Sequence, residues 1–143
     1  MFKNVLMVCT GNICRSPYAE YALAAKASGV KVSSAGLSAL VDKGADATGL
    51  EVAAERGVDM TPHVAQQLNT AKVAGSDLVL VMDDEHLRRL LKRYPEARGK
   101  TFKLGKWLGD KNIVDPYLKP ASFFALVYDE IDAAIETWLK HLA

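Results

Sequence analysis

The stretch Val5-Leu6-Met7-Val8-Cys9-Thr10-Gly11-Asn12-Ile13-Cys14-Arg15-Ser16-Pro17 decides the fold. Its first four residues are a continuous apolar run of strand length, Thr10-Gly11-Asn12 breaks that run, and Pro17 suits the first turn of a helix. The order is strand, tight loop, helix. The helix runs to about Lys26 on residues rich in Ala, Leu, Tyr and Glu, with Gly29 just past its end. Val30 to Ala35 then predicts a second strand. Asp46 or Thr48 caps a helix ending near Arg56-Gly57, and Pro62 to Leu68 reads as another short helix. Leu78 to Met82 is apolar at every position, as a strand covered on both faces must be. Asp83-Asp84 caps a helix from Glu85 to Tyr94 that stops at Pro95. After a shorter strand at Thr101 to Leu104, the C-terminal helix puts Phe124, Val127, Tyr128, Ile131, Ala134, Ile135, Trp138, Leu139 and Leu142 on one face, which must cover a sheet.

Strands alternating with helices predict a three-layer α/β/α fold around a small parallel sheet of about four strands, joined by right-handed crossovers. The 143 residues, half of them hydrophobic, suit one domain spanning 1–143, and no internal repeat or linker interrupts them. Eighteen basic against seventeen acidic residues leave a formal charge of +1, which argues against a nucleic-acid partner. No apolar run approaches the eighteen or so residues that span a bilayer, and the N-terminus lacks the apolar core and cleavage site of a signal peptide. A cytoplasmic protein without membrane insertion is expected. Two cysteines are too few for a disulfide scaffold or a four-ligand zinc site, so they matter as thiols.

Folds of this kind bind ligands at the carboxyl ends of their strands, where the first strand ends in Cys9. The residues from Cys9 to Ser16 have the form Cys, five residues, Arg, Ser. With six Arg and seven Ser in the chain, that coincidence behind either cysteine has a chance of about 0.4 per cent, so the pattern marks a site. Thr10, Gly11, Asn12, Ile13 and Cys14, between a strand and a helix N-terminus, can turn successive N–H groups inward as an anion-binding nest. Arg15 can grip two phosphate oxygens with its planar fork. In that positive setting Cys9 is a nucleophile aimed at phosphorus rather than a buried structural thiol.

These residues resemble the low-molecular-weight protein tyrosine phosphatases, whose signature loop is Cys-x5-Arg-Ser after the first strand. The resemblance extends to Ser34-Ala35-Gly36, His63, Leu80-Val81-Met82-Asp83 and Asp115-Pro116-Tyr117, and so spans nearly the whole chain. It implies a phosphatase loop of residues 9–16, in which Cys9 attacks phosphotyrosine, Arg15 binds the phosphoryl group, and Asp115 protonates the leaving phenolate and later activates water. A phenolate, whose conjugate acid has a pKa of about 10, departs far more easily when protonated. Pro116 biases Asp115 towards an extended conformation that presents its carboxyl in one direction. Asp110, Asp83 and Asp84 are weaker candidates.

The resemblance also implies that Asn12, Ser16, Ser34 and His63 support the loop by hydrogen bonds, with Ser16 donating to the thiolate. Ile13, Leu40 and Tyr117 would wall a slot for the phenyl ring. Cys14 is a candidate redox partner that could pair with Cys9. The family usually has Arg where this chain has Gln66, so a charge is lost there, and with it the means for any ion pair that relatives make at that position. His86 and His141 are expected to face solvent, and Lys100, Lys103, Lys106 and Lys111 to form a solvated basic patch.

No metal or other cofactor is expected, and the chain is expected to be a monomer. The partner class is a phosphotyrosine protein, for which bacterial relatives suggest, by analogy only, a tyrosine autokinase governing exopolysaccharide export. Three rivals share the scaffold. An arsenate reductase would need further cysteines downstream, and none follows Cys14. A phosphoarginine phosphatase tends to carry Thr where Ile13 stands, and a cysteine phosphocarrier would have no use for an acid such as Asp115.

Overall fold

A computed structural model describes residues 2–142. The apolar run at the N-terminus forms β1 (Asn4–Cys9), and the chain turns through residues 10–14 into α1 (Arg15–Lys26). It continues through β2 (Lys31–Gly36), α2 (Ala47–Glu55), α3 (Thr70–Ala74), β3 (Leu78–Val81), α4 (Asp84–Arg93), a single 3₁₀ turn at Pro95–Ala97, β4 (Thr101–Lys103) and α5 (Ala121–Leu139). The four strands form one sheet in the order β2-β1-β3-β4, parallel at every pairing.

Alternation along the strands sorts two apolar cores. Val5, Met7, Leu78 and Leu80 meet Tyr18 and Leu23 of α1 and Phe124, Ile131 and Trp138 of α5. On the other face Leu6, Val8, Val79 and Val81 meet Val73 of α3 and Leu90 of α4. Helices on both faces of a parallel sheet make the expected three layers. The chain leaves β1 first for β2 on one side and later for β3 on the other, so a crevice opens at the carboxyl ends of β1 and β3. Residues 10–14 lie in that crevice, beside Met82 and Asp83.

Caps follow the sequence closely. Asp46 accepts from the N–H groups of Thr48 and Gly49, and Asp83 accepts from that of His86. Two elements differ from expectation. Residues 62–68 are extended and turn-like rather than helical, because they pair with β2 and its following loop: Gly36 N–H donates to Gln66 O, Leu68 N–H to Gly36 O, and Ala65 N–H to Lys43 O. Sheet-type partners outside the segment have replaced the internal ladder a helix would supply. The five-residue α3, capped by Asn69, has no counterpart in the sequence reading. Among the described residues no helix is long and apolar enough to cross a membrane.

The anticipated basic patch is dispersed. Lys103 is buried, its Nζ held by Asp84 at 2.9 Å and Asp110 at 3.2 Å. Lys100 Nζ donates to the carbonyls of Val73 and Ser76, Lys106 stacks over Trp107, and Lys111 pairs with Glu130.

Candidate active site

Residues 9–14 are shaped by where their carbonyls go. Cys9 O accepts from Leu37 N–H, Thr10 O from Ser38 N–H, Gly11 O from Leu40 N–H, and Ile13 O from Asp46 N–H, all at 2.9–3.0 Å. Asn12 O lies 2.7 Å from His63 Nε2, and Cys14 O accepts from the Tyr128 hydroxyl at 3.2 Å. Six consecutive carbonyls are thus held outward by the loop after β2, α2, α5 and His63. Across a planar trans peptide the following N–H points the opposite way, so those of residues 10–15 turn inward. A ring of amides at the start of α1, aided by the helix dipole, has the geometry to accept an anion. The close approach that this requires explains Gly36: a Cβ there would stand 2.5 Å from Thr10 O.

Behind the ring runs a polar chain. Asn12 adopts φ 59°, the left-handed conformation that Asn tolerates better than most residues. Its Nδ2 donates to Ser16 Oγ at 2.8 Å and Ser34 Oγ at 2.9 Å, and its Oδ1 accepts from Gln66 N–H at 2.9 Å. Ser34 Oγ in turn donates a hydrogen bond to Glu20 Oε1 at 2.6 Å. Because Ser16 Oγ accepts from Asn12, its hydrogen is free to point at Cys9 Sγ, 2.9 Å away. His63 Nε2 faces a carbonyl and must donate, which leaves Nδ1 towards Glu20 at 3.9 Å. Burial pushes the Glu20 carboxyl above its usual range, against the opposing pull of Ser34 and His63. Gln66 joins through its backbone, while its side chain accepts from Lys72.

Arg15 is buried at one edge of the ring. Its Nη1 donates to Ile113 O at 2.8 Å and Asp83 Oδ2 at 3.3 Å, and its Nη2 lies 3.8 Å from Asp115 Oδ2. Asp115 Oδ1 accepts from Tyr117 N–H, a turn that directs the half-exposed carboxylate across the mouth. A cavity of about 270 Å³ is lined by Cys9, Thr10, Gly11, Ile13, Cys14, Arg15, Ser38, Leu40, Asp115 and Tyr117. Leu40 and Tyr117 form its walls and Cys9 its floor.

The structure therefore brings together Cys9, Arg15 and Asp115, the loop residues, the support residues Asn12, Ser16, Ser34 and His63, and the slot residues Ile13, Leu40 and Tyr117. Both cysteines are free and buried. Burial, then the charges of Asp46 and Asp115, pushes the Cys14 thiol far up, so Cys14 stays protonated. Asp110 is occupied by Lys103, which removes it as a rival to Asp115.

His86 corrects the reading from sequence. It is 2 % exposed, with Nε2 2.9 Å from Thr10 Oγ1 and Nδ1 3.6 Å from Asp83 Oδ1. Its helix begins at the strand next to β1, so the turn that carries it folds against the loop rather than outward. Burial, then the nearby Arg15, holds its pKa down at about 4, so it is neutral at ordinary pH. His141 is exposed and stacks on Trp107. Sequence reading missed Glu20 as a site neighbour and weighed Asp83 only as a rival acid and a helix cap, not as a partner of Arg15. Asp83 caps α4 as anticipated, but only strand order puts it beside Arg15. Glu20 carried no signal beyond its place one turn after Ser16.

A family model described as low molecular weight phosphotyrosine protein phosphatase matches residues 4–143. The chain is 44% identical over 142 residues to the low molecular weight protein-tyrosine-phosphatase Etp of Escherichia coli K12, covering 99% of this chain and 96% of the relative. Among solved structures, Vibrio vulnificus Wzb in complex with benzylphosphonate superposes with a TM-score of 0.96 at 43% identity, covering 99% of this chain and all of the other. YwlE arginine phosphatase from Geobacillus stearothermophilus superposes at 0.92 with 33% identity over 97% of this chain and 92% of the other.

Proposed function

The chain belongs to the low molecular weight phosphotyrosine protein phosphatases and is a protein-tyrosine phosphatase, and from that premise we propose how its residues divide the work. The carrying observation is the ring of inward amides over Cys9 Sγ, with Arg15 and Asp115 on its rim. Phosphoryl transfer asks a protein mainly for in-line positioning and for donors around spreading negative charge. The amides of residues 10–15 and Arg15 supply those donors.

Cys9 Sγ attacks phosphorus, and the S–P bond forms as the P–O bond to tyrosine breaks. Asp115 gives its proton to the departing phenolate oxygen, which faces it across the mouth. Water then attacks the phosphocysteine, Asp115 takes a proton from that water, and the S–P bond breaks to return the thiolate and release phosphate. Ser16, held by Asn12, donates to the sulfur in its anionic form and so stabilises both attacking and leaving thiolate. Leu40, Ile13 and Tyr117 hold the phenyl ring, a flat apolar group that suits the slot better than a guanidinium. Cys14, the protonated thiol in the same cavity, is our candidate to condense with an oxidised Cys9 sulfenic acid, giving a disulfide and water.

We take residues 1–143 as one cytoplasmic, monomeric domain acting on a phosphotyrosine protein, with a tyrosine autokinase of exopolysaccharide export as the proposed substrate. The decisive experiment is turnover of p-nitrophenyl phosphate by Cys9→Ser. Essentially complete loss, with vanadate inhibiting the unaltered enzyme competitively, supports the mechanism. Undiminished turnover in Cys9→Ser rejects it.

A further inference from the structure

The mouth of the cleft carries more apolar surface than a phenyl ring can use. Eight large hydrophobic residues are exposed on the described surface, and five of them, Leu40, Val41, Val114, Tyr117 and Leu118, lie on the two short segments that wall the cavity. Leu40 and Tyr117 line the slot itself. The other three follow or precede lining residues directly: Val41 after Leu40, Val114 before Asp115, Leu118 after Tyr117. They stand at 52, 53 and 84 % exposure. The other three, Val64, Trp107 and Leu126, are scattered singly, whereas apolar groups gathered on the two segments at one cavity mouth mark a contact surface rather than chance.

The backbone adds an independent sign. Leu118 sits at φ 66°, and Asp42, next to Val41, at φ 69°. Left-handed backbone is disfavoured for a leucine, and strain of this kind collects at binding sites. At Leu118 it holds the side chain out into solvent, where it contributes nothing to the core.

We infer that this rim binds the polypeptide on either side of the phosphotyrosine, and that the enzyme prefers substrates whose flanking residues are aliphatic. The inference rests on the slot reading above, since a phosphotyrosine seated over Cys9 must lead its own chain out between the two loops. With Val41 on one bank and Val114 and Leu118 on the other, residues directly before and after the phosphotyrosine meet apolar surface. Burial of one aliphatic side chain at each position raises kcat/KM, because the contact is made in the transition-state complex as well as in the bound substrate.

The test uses three phosphopeptides of equal length that differ only in the residues flanking phosphotyrosine: Leu and Val, Ser and Ser, or Asp and Asp. The unaltered enzyme should favour the aliphatic peptide over the serine peptide by about tenfold in kcat/KM, with the aspartate peptide poorer still. Leu118→Asn, which keeps a residue tolerant of left-handed backbone, and Val41→Ser should each shrink that preference about threefold. Turnover of p-nitrophenyl phosphate, which has no flanking residues, should stay within twofold in both variants. Equal rates on the three peptides overturn the inference, as does a preference that survives in the Val41→Ser/Leu118→Asn double variant. Loss of p-nitrophenyl phosphate turnover in these variants also overturns it, because the rim would then be shaping the slot. Failure of the slot reading is seen separately, as undiminished p-nitrophenyl phosphate turnover in Cys9→Ser.

Discussion

Replacing Asn12 by alanine removes the residue on which the loop and its support chain converge. Three hydrogen bonds go: those to Ser16 Oγ and Ser34 Oγ, and that from Gln66 N–H, at 2.8–2.9 Å in a fully buried setting. Each is worth about 1 kcal/mol net, and more where a buried partner is left unsatisfied. Alanine must also hold φ 59°, which costs about 1 kcal/mol beyond asparagine. The expected loss is roughly 3–5 kcal/mol, a large share of the roughly 5–15 kcal/mol that holds a protein folded. Glycine at the same position loses the same three bonds but not the backbone term, so Asn12→Gly should be about 1 kcal/mol more stable than Asn12→Ala. Urea unfolding with an unchanged slope measures both. In either variant Ser16 loses the donor that turns its hydrogen towards Cys9, and kcat/KM for p-nitrophenyl phosphate should fall at least about tenfold. A stability loss below about 1 kcal/mol, or alanine proving more stable than glycine, would refute this account of Asn12.

Asp115→Asn should cut turnover of a phosphotyrosine peptide by about 10²–10⁴-fold, and of p-nitrophenyl phosphate much less, because p-nitrophenolate leaves without a proton; equal losses on the two esters would remove the acid role. His86 accepts a proton near pH 6.5 when unfolded but only near 4 when folded, so its stabilising contribution is complete above about 6.5 and drains away as pH falls to 4. That window is worth about 3 kcal/mol, and guanidinium melts at pH 7 and 4.5 should show a smaller difference in His86→Gln than in the unaltered chain. Gly49→Ala places a Cβ 2.7 Å from the Tyr128 hydroxyl and 3.4 Å from a Phe124 ring carbon. The gain in helix propensity, about 1 kcal/mol, is outweighed by overpacking of about 1–3 kcal/mol. A lowered Tm with a raised KM is expected, since Tyr128 would release Cys14 O; a raised Tm would contradict the packing.

Much of this molecule is legible without coordinates because its signals are local. The apolar runs at Val5–Val8 and Leu78–Val81, the caps at Asp46 and Asp83, and the long face of α5 each depend on neighbours within a turn or a strand, and each forms as its pattern requires. Residues 62–68 misled for the opposite reason: their backbone partners lie on β2 and the loop beyond it, some 25 positions away, and no local spacing records that. His86 and Lys103 look like solvent residues of a charged helix and of a short strand flanked by lysines, yet both are buried by what packs over them.

The residue types and order of Cys9 to Ser16 determine by themselves that a strand must end in a thiol, a short loop and an arginine, because chain chemistry and turn propensity act over a few residues. Tertiary structure alone decides which way that loop's amides point, since every carbonyl that turns them inward is held by a donor at least twenty-five residues distant. It alone also sets Asp83 and Asp115 beside Arg15: strand order, which no short segment encodes, brings the ends of β1 and β3 together, and the loop after β4 is drawn to them where Ile113 N–H donates to Met82 O and Ile113 O accepts from Arg15.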